Sequence, residues 1–390
     1  MFDLDLWREI FQSISKNKLR TLLSGGTVIF AIMLFAILFG LANGLQNTFN
    51  EGMGGDAENT IFINSGRTAK AGKGNQAGRR IQFDNALLST LKDEFKDDIE
   101  FITARVNKNV VASYKGEKNN YSLRAVNPDH QFIEKSELVS GRFINQRDLQ
   151  ESTKVIVIGR LVKEDLFKTE KVIGEYIDLN KIQYKVVGVY QDIGDDNEER
   201  IIYMPLTTAQ RIYGNNDFID QINLTYNLSM GLDNAIALGT NIESRIKKIF
   251  NIEPSDQRAV RLRNRATEAN SINQFNSVLA ILVLIIGLGT LIAGIVGISN
   301  IMIFIVKERT KEIGIRKALG ARPSSIQSII LIESVLITSI SGYVGLLLGI
   351  GILEAYGPSL DKYFITDPSV STNLVAMATL ALIISGFIAA

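Results

Sequence analysis

Apolar and polar positions are distributed unevenly along this chain. Four runs are apolar almost throughout: 21–45, 278–306, 326–353 and 373–390. The second holds no charged residue, the third only Glu333, and the fourth is still apolar where the sequence stops at Ala390. A helix crosses the hydrocarbon core of a bilayer with roughly 20 apolar residues. The pattern therefore predicts an integral membrane protein with four transmembrane helices.

The stretch between the first two runs, 46–277, has a different grammar. Period-two alternation predicts strands at 60–63, 101–106, 110–114, 121–126, 155–158, 184–189, 200–204 and 219–226. Helical spacing predicts helices at 85–95, 160–167, 207–213 and 232–250. The expected fold is thus a membrane α-helical protein with a large α+β or α/β extracytoplasmic domain inserted between its first and second spans. A glycine-rich stretch, 66–80, carries Arg67, Lys70, Lys73, Arg79 and Arg80 and reads as a mobile, solvated loop or a contact for an anionic partner. The acidic turn at 192–199 lacks the ligand spacing of a calcium loop and reads as the end of a hairpin.

Charge sets the orientation. The overall balance is only +1, which gives no footprint of nucleic-acid binding. Arg8, Lys16, Lys18 and Arg20 precede the first run, whereas Glu51, Asp56 and Glu58 follow it, so the N-terminus is expected in the cytoplasm. The segment 307–325, with Lys307, Arg309, Lys311, Arg316, Lys317 and Arg322, is cytoplasmic on the same count; the loop 354–372 is extracytoplasmic. Arg258, Arg261, Arg263 and Arg265 argue the other way, but the rule is weak for long translocated domains. A cleaved signal peptide fits less well, because the first run is too long and no small-x-small cleavage site follows it cleanly. Residues 1–20 place Leu4, Trp7, Phe11 and Ile14 on one stripe, an amphipathic helix lying on the inner face or packed on the protein itself.

Little in the composition suggests catalysis. There is no cysteine and one histidine, His130, expected to be solvated in a loop, so neither a disulfide nor a zinc site is expected. No H-E-x-x-H or G-x-S-x-G pattern occurs, and no G-x-x-x-x-G-K-[ST] loop to cradle phosphates. The distinctive element is Lys307-Glu-Arg-Thr-Lys-Glu-Ile-Gly-Ile-Arg-Lys-Ala-Leu-Gly-Ala321, a charged segment between two apolar runs. Glu308 and Glu312 sit near the start of its predicted helix, Arg316 and Lys317 near its end, and Gly320 can stop it. On charge alone it is either a linker helix or a docking helix. Within the spans, Gly345 and Gly349 form a G-x-x-x-G face, and Gly287, Gly294 and Gly297 thin the second span, candidates for close helix packing within or between chains. Glu333 should not face lipid unpaired; it either contacts the charged segment or sits at the interface.

Taken with the apolar residues before it, Leu291 to Val306, the charged segment resembles the signature of the MacB-like branch of FtsX-superfamily ABC transporter permeases. Leu331-Ile-Glu-Ser-Val335 with Gly342, Gly345 and Gly349 continues the likeness, and Val155-Ile-Val-Ile-Gly159, Asp165-Leu-Phe167, Val186-Val-Gly-Val189 and Met204-Pro-Leu-Thr-Thr-Ala-Gln210 resemble the family's periplasmic core domain. The resemblance implies that 307–325 docks into an ATPase as a coupling helix, through Glu308, Arg309, Glu312, Ile313, Gly314, Ile315, Arg316, Lys317 and Leu319. It also implies span-packing roles for Gly294, Gly297, Asn300, Glu333, Gly342, Gly345 and Gly349. The chain itself would bind no cofactor, with ATP and magnesium on an ATPase supplied in trans. A second permease copy, a periplasmic adaptor and an outer-membrane channel are the other implied partners, and the bacterial inner membrane the location. The work implied is mechanotransmission for export of a substrate. Lipoprotein release and activation of an extracytoplasmic hydrolase are the alternative readings. The family continues past its fourth span with a short basic tail, so the fourth run is expected to be truncated at Ala390.

Overall fold

The computed structural model describes residues 18–51, 57–72, 74–168, 171–192, 196–320 and 322–371, with four isolated positions beyond. The expected N-terminal amphipathic helix and most of the fourth apolar run lie outside the described residues. The chain divides into two compact units: Met1–Gly52 with Asn273–Ala390, and Met53–Ile272.

In the helical unit, α1 (Lys18–Glu51) is followed, after the inserted unit, by three further helices described below. The inserted unit is built on a sheet of ten strands. Its elements are β1 (Thr60–Ser65), β2 (Phe83–Asp84), α2 (Asn85–Glu94), β3 (Ile99–Tyr114), β4 (Glu117–Val126), α3 (His130–Ile133), β5 (Glu137–Gly141), α4 (Gln146–Glu151) and β6 (Val155–Gly159). Then come α5 (Arg160–Phe167), β7 (Tyr176–Leu179), β8 (Ile182–Gln191), β9 (Ile201–Pro205), α6 (Leu206–Tyr213), β10 (Phe218–Ile219), β11 (Gln221–Tyr226), α7 (Gly231–Ile249) and β12 (Val260–Asn264).

The sixteen-residue β3 organises this unit. Its first half pairs with β11, and beyond β11 lie β1 and β12 in an antiparallel sheet. Its second half pairs with β4 on one edge and with β7 on the other. From β4 the pairing continues through β9, β6 and β8 back to β7, so six strands close into a barrel. Alternation fills it: Leu123, Ile156, Ile158, Ile202 and Met204 point into the main core, while Val126, Val157, Ile201 and Tyr203 face a second cluster with Phe143 and Tyr190. Period-two burial on both faces explains why these strands read as near-continuous apolar runs.

All eight expected strands and all four expected helices are present, the runs 101–106 and 110–114 merging into β3 and 219–226 divided between β10 and β11. The hairpin expected at 192–199 is absent. β8 and β9 do not pair; each lies against β6, and the connection crosses over that strand. Its acidic residues serve the crossover: Glu199 pairs with Arg160 at 2.6 Å and accepts from the Asp192 N–H at 3.1 Å. The stretch 66–80 is likewise not a free loop. It folds back on itself, with the Thr68 N–H on the Arg79 carbonyl at 2.9 Å.

The remaining helices are α8 (Arg265–Glu308), α9 (Thr310–Ala318) and α10 (Pro323–Leu360). Among the described residues, three helices are long and apolar enough to cross a membrane: Gly25–Phe49, Arg265–Gly297 and Ile326–Tyr363. Within the helical unit α1 and α10 run parallel and touch through small residues. A Cβ on Gly345 would lie 2.5 Å from the Ile29 carbonyl oxygen, and one on Gly349 2.8 Å from the Ala36 Cβ. Val28, Ile32, Ala36, Ile337 and Leu346 are buried along this seam. Beyond it, the Asn43 amide donates to the Ser369 carbonyl at 3.1 Å and the Thr48 hydroxyl to the Phe364 carbonyl at 2.9 Å, tying the segment after α10 to the end of α1. Helix α8 runs antiparallel to α1, with Gly287 against the Phe35 ring and Gly297 against Thr27. Most of its apolar side chains are exposed. Gly294 is buried although an added Cβ would meet nothing within 4 Å, and Asn300 is exposed.

Gly345→Leu is expected to lower the melting temperature of the purified chain, because an inserted side chain must push α1 away at a cost of about 1–3 kcal/mol. Gly351→Ala, on the same helix but facing open space, is expected to leave the melting curve unchanged.

Candidate functional site: the charged helix between apolar helices

The charged segment forms a short helix of its own. Helix α8 ends at Glu308, and Arg309 breaks the helical path with φ −89° and ψ 10° before α9 begins. Glu308 closes α8 and Arg316 lies in α9, so the two belong to separate helices. Glu312 lies in the first turn of α9, while Arg316 and Lys317 occupy its last turn, where positive charge complements the carbonyl end of a helix. Gly320 adopts φ +90°, a left-handed conformation that ends the helix, and Pro323 starts α10.

Two contacts define what this helix can do. On its inner side, Arg309 reaches Glu333 of α10 at 3.7 Å. Glu333 is buried beside Ser334 and Thr338, so this contact joins the charged segment to the interior of the apolar unit. On its outer side, Ile315 and Leu319, four residues apart and hence on one face, are 64% and 83% exposed. Ile313 is half-buried and Gly314 faces open space. An apolar pair flanked by exposed Lys311 and Lys317 has the make-up of a docking surface with an apolar centre and a polar rim. Of the proposed packing residues, Gly342, Gly345, Gly349 and Glu333 are buried in α10 and Gly297 borders α1.

A second constellation, in the inserted unit, was not anticipated from the sequence. Glu134, just past α3, is buried and accepts from Arg105 and Arg124, each at 2.9 Å, and from the Tyr203 hydroxyl at 3.1 Å. Arg124 also pairs with Glu198 of the crossover. His130 is fully buried against this group, with Nε2 3.4 Å from Glu134 and its ring edge-on to Tyr203; the expectation of a solvated histidine was wrong. Burial alone would raise the Glu134 carboxyl; His130, Arg124 and Arg105 outweigh it and hold the group well below the usual carboxylate range. Burial pushes the Tyr203 and Tyr190 hydroxyls well above theirs. The cluster ties β3, β4, β9 and the crossover together, a structural role that no local motif marks. Arg124 is one of several charged and polar residues in β4, so its strand gave no signal of this role.

With this geometry in hand, comparison with known proteins places the chain. A family model described as MacB-like periplasmic core domain matches residues 21–237, and one described as FtsX-like permease C-terminal matches residues 277–390. The chain belongs to the MacB-like permease family, membrane permeases with an FtsX-like C-terminal region and a periplasmic core domain. It is 27% identical over 346 residues to the macrolide export ATP-binding/permease protein MacB of Bdellovibrio bacteriovorus, covering 87% of this chain and 52% of that protein. The MacB of Campylobacter jejuni is 30% identical over 353 residues, 89% of this chain and 53% of that protein. The chain thus spans about half the length of the curated relatives it matches. The crystal structure of the periplasmic region of MacB from Actinobacillus actinomycetemcomitans aligns with 58% of this chain and 97% of that one, at 19% identity and a TM-score of 0.45.

The Glu134 cluster makes the inserted unit acid-sensitive. A carboxyl held below its unfolded value contributes stability that is complete above that value, about 4.3 for Glu, and is lost as pH falls further. The unfolding midpoint of the chain is expected to drop between pH 5 and pH 3. In Glu134→Gln it should start lower at pH 5 and fall less steeply, a difference read directly from melting curves across the range.

Proposed function

We propose that this chain is the permease subunit of a MacB-like, mechanotransmission-type ABC transporter, and that α9 with Arg309 is its coupling element. The observation that carries this reading is the exposed Ile315–Leu319 pair on a short charged helix whose preceding residue is joined to buried Glu333. A surface that offers apolar side chains to a partner while anchored to a transmembrane helix is suited to passing a push from one to the other. The partner is an ATPase subunit that carries ATP and magnesium, which this chain does not bind itself.

In this reading four spans hold the chain in a bacterial inner membrane, with the N-terminus and 307–325 in the cytoplasm and 46–277 outside. ATP-driven closure of the ATPase pair displaces α9; Arg309 and Glu333 carry the displacement to α10, and the α10–α1 seam carries it to α1. The sparse packing of α8 on the rest of its unit leaves an apolar surface that a second permease copy would cover. Substrate is handled by the outer domains rather than threaded through the spans, for export of a compound whose identity the outer dimer and its adaptor would set. Coupling of this kind is reciprocal in binding free energy: whatever the outer domain binds shifts nucleotide affinity on the ATPase.

The test is copurification of the chain with candidate ATPases. Wild type is expected to retain one of them, and Leu319→Glu or the pair Glu312→Arg with Arg316→Glu to lose at least tenfold of it at unchanged melting temperature. Retention by both variants, or no ATPase on wild type, would remove the coupling assignment.

A further inference from the structure

The stretch 66–80 and the strand β12 build a surface that the transport reading does not use. Ser65 at the end of β1 pairs with Val260 at the start of β12. There the chain leaves β1 as a finger, with Arg67 bridged to Arg80 and Gly72 paired to Asn75. Gly66 at its base is a required glycine: a Cβ would lie 2.1 Å from the Arg258 carbonyl oxygen.

One buried carboxylate fixes the finger. Asp256 accepts from the N–H groups of Ala69 at 2.7 Å and Lys70 at 3.0 Å on the finger, and from Arg258 at 2.9 Å and Ala259 at 3.2 Å on its own segment. Two stretches nearly two hundred residues apart are thereby locked together. Burial by itself would raise the Asp256 carboxyl, and the four N–H groups hold it low. The Lys70 ammonium also donates to the Ser255 hydroxyl at 2.9 Å, and Arg79 to the Phe250 carbonyl.

The result is a fixed group of exposed cations, Arg67, Lys70, Arg80, Arg258 and Arg261, in a chain whose net charge is only +1. Among the described residues none of the five forms an ion pair. Asp256 is consumed by backbone donors, and Glu253 lies against Gly72. The finger has no aromatic, leucine, isoleucine or valine residue to insert into a bilayer, whereas surfaces that bind lipid by partial burial carry such residues beside their basic ones. We propose that this surface is a preorganised docking site for an acidic segment of a partner protein in the compartment of the outer domain. Clustered cations held in place beforehand attract such a segment and accelerate its capture.

The test uses the full-length chain in discs of neutral phosphatidylcholine, with fluorescein-labelled poly-L-glutamate as probe. Wild type is expected to bind with an affinity that falls as salt rises. Combining Arg67→Gln, Arg80→Gln, Arg258→Gln and Arg261→Gln should weaken binding at least tenfold. A control combining Lys92→Gln, Lys108→Gln, Lys118→Gln and Lys154→Gln, exposed lysines elsewhere on the same unit, should change it less than twofold. Asp256→Asn separates a built site from bulk charge. It adds one positive charge yet removes the anchor, so the proposal requires severalfold weaker binding where bare attraction would give equal or tighter. Equal losses in the two combined variants, or undiminished binding by Asp256→Asn, overturn the proposal. So does binding of phosphatidylglycerol vesicles that depends on the four arginines while poly-L-glutamate does not.

Discussion

The helical unit depends on a close approach of two backbones. Where Gly345 passes the Ile29 carbonyl there is room for hydrogen and nothing larger, and one turn later Gly349 meets Ala36 on the same terms. In a bilayer, apolar side chains gain little by leaving lipid for one another, so helix association rests on shape, and small residues make the shape. Everything else in the unit is arranged around that parallel pair: α8 returns antiparallel against Phe35 and Thr27, and Thr48 and Asn43 fasten the segment after α10. Because α10 begins just after the charged helix and carries Glu333, which Arg309 reaches, in its buried stretch, the seam is linked to the charged segment.

The inserted unit solves a different problem, joining an open sheet to a closed barrel through one continuous main core, with a smaller cluster around Tyr203 beside it. Sharing β3 does this: one strand supplies a ladder to each, and the main apolar cluster runs continuously from Ile61 and Leu224 to Ile177 and Leu179. Charge is placed on the opposite side, where Glu134 collects Arg105, Arg124 and Tyr203. A buried group of this kind adds little net stability compared with an apolar filling, but each member is costly to lose alone, because its partners remain desolvated.

Much of this was legible in the sequence because periodicity speaks about burial. Strands such as β6 and β9, apolar on both faces, and α5, found at its expected bounds, declare themselves by spacing. The charged helix was legible because charge between two apolar runs is conspicuous. Three features were not. Strand order is a matter of distant partners, so the acidic crossover between β8 and β9 looked like a hairpin. His130 looked solvated because the Tyr203 ring packed against it comes from a strand some seventy residues away. The finger at 66–80 looked mobile because glycine and lysine describe an unanchored loop, while its anchor, Asp256, lies far along the chain.

The barrel is closed unequally. β3 and β4 share ten residue pairs across a short turn, whereas β3 and β7 share two, Ala112 with Leu179 and Ser113 with Asp178, and close a loop of more than sixty residues to do it. Long loops cost more entropy to close, and few contacts repay it. β6 and β9 also share only two pairs, Val157 with Tyr203 and Ile158 with Ile202, so the barrel has two thin ladders, of which the β3–β7 one closes the longer loop. A cylinder laced thinly along two lines is two curled half-sheets, β3–β4–β9 and β6–β8–β7, joined edge to edge.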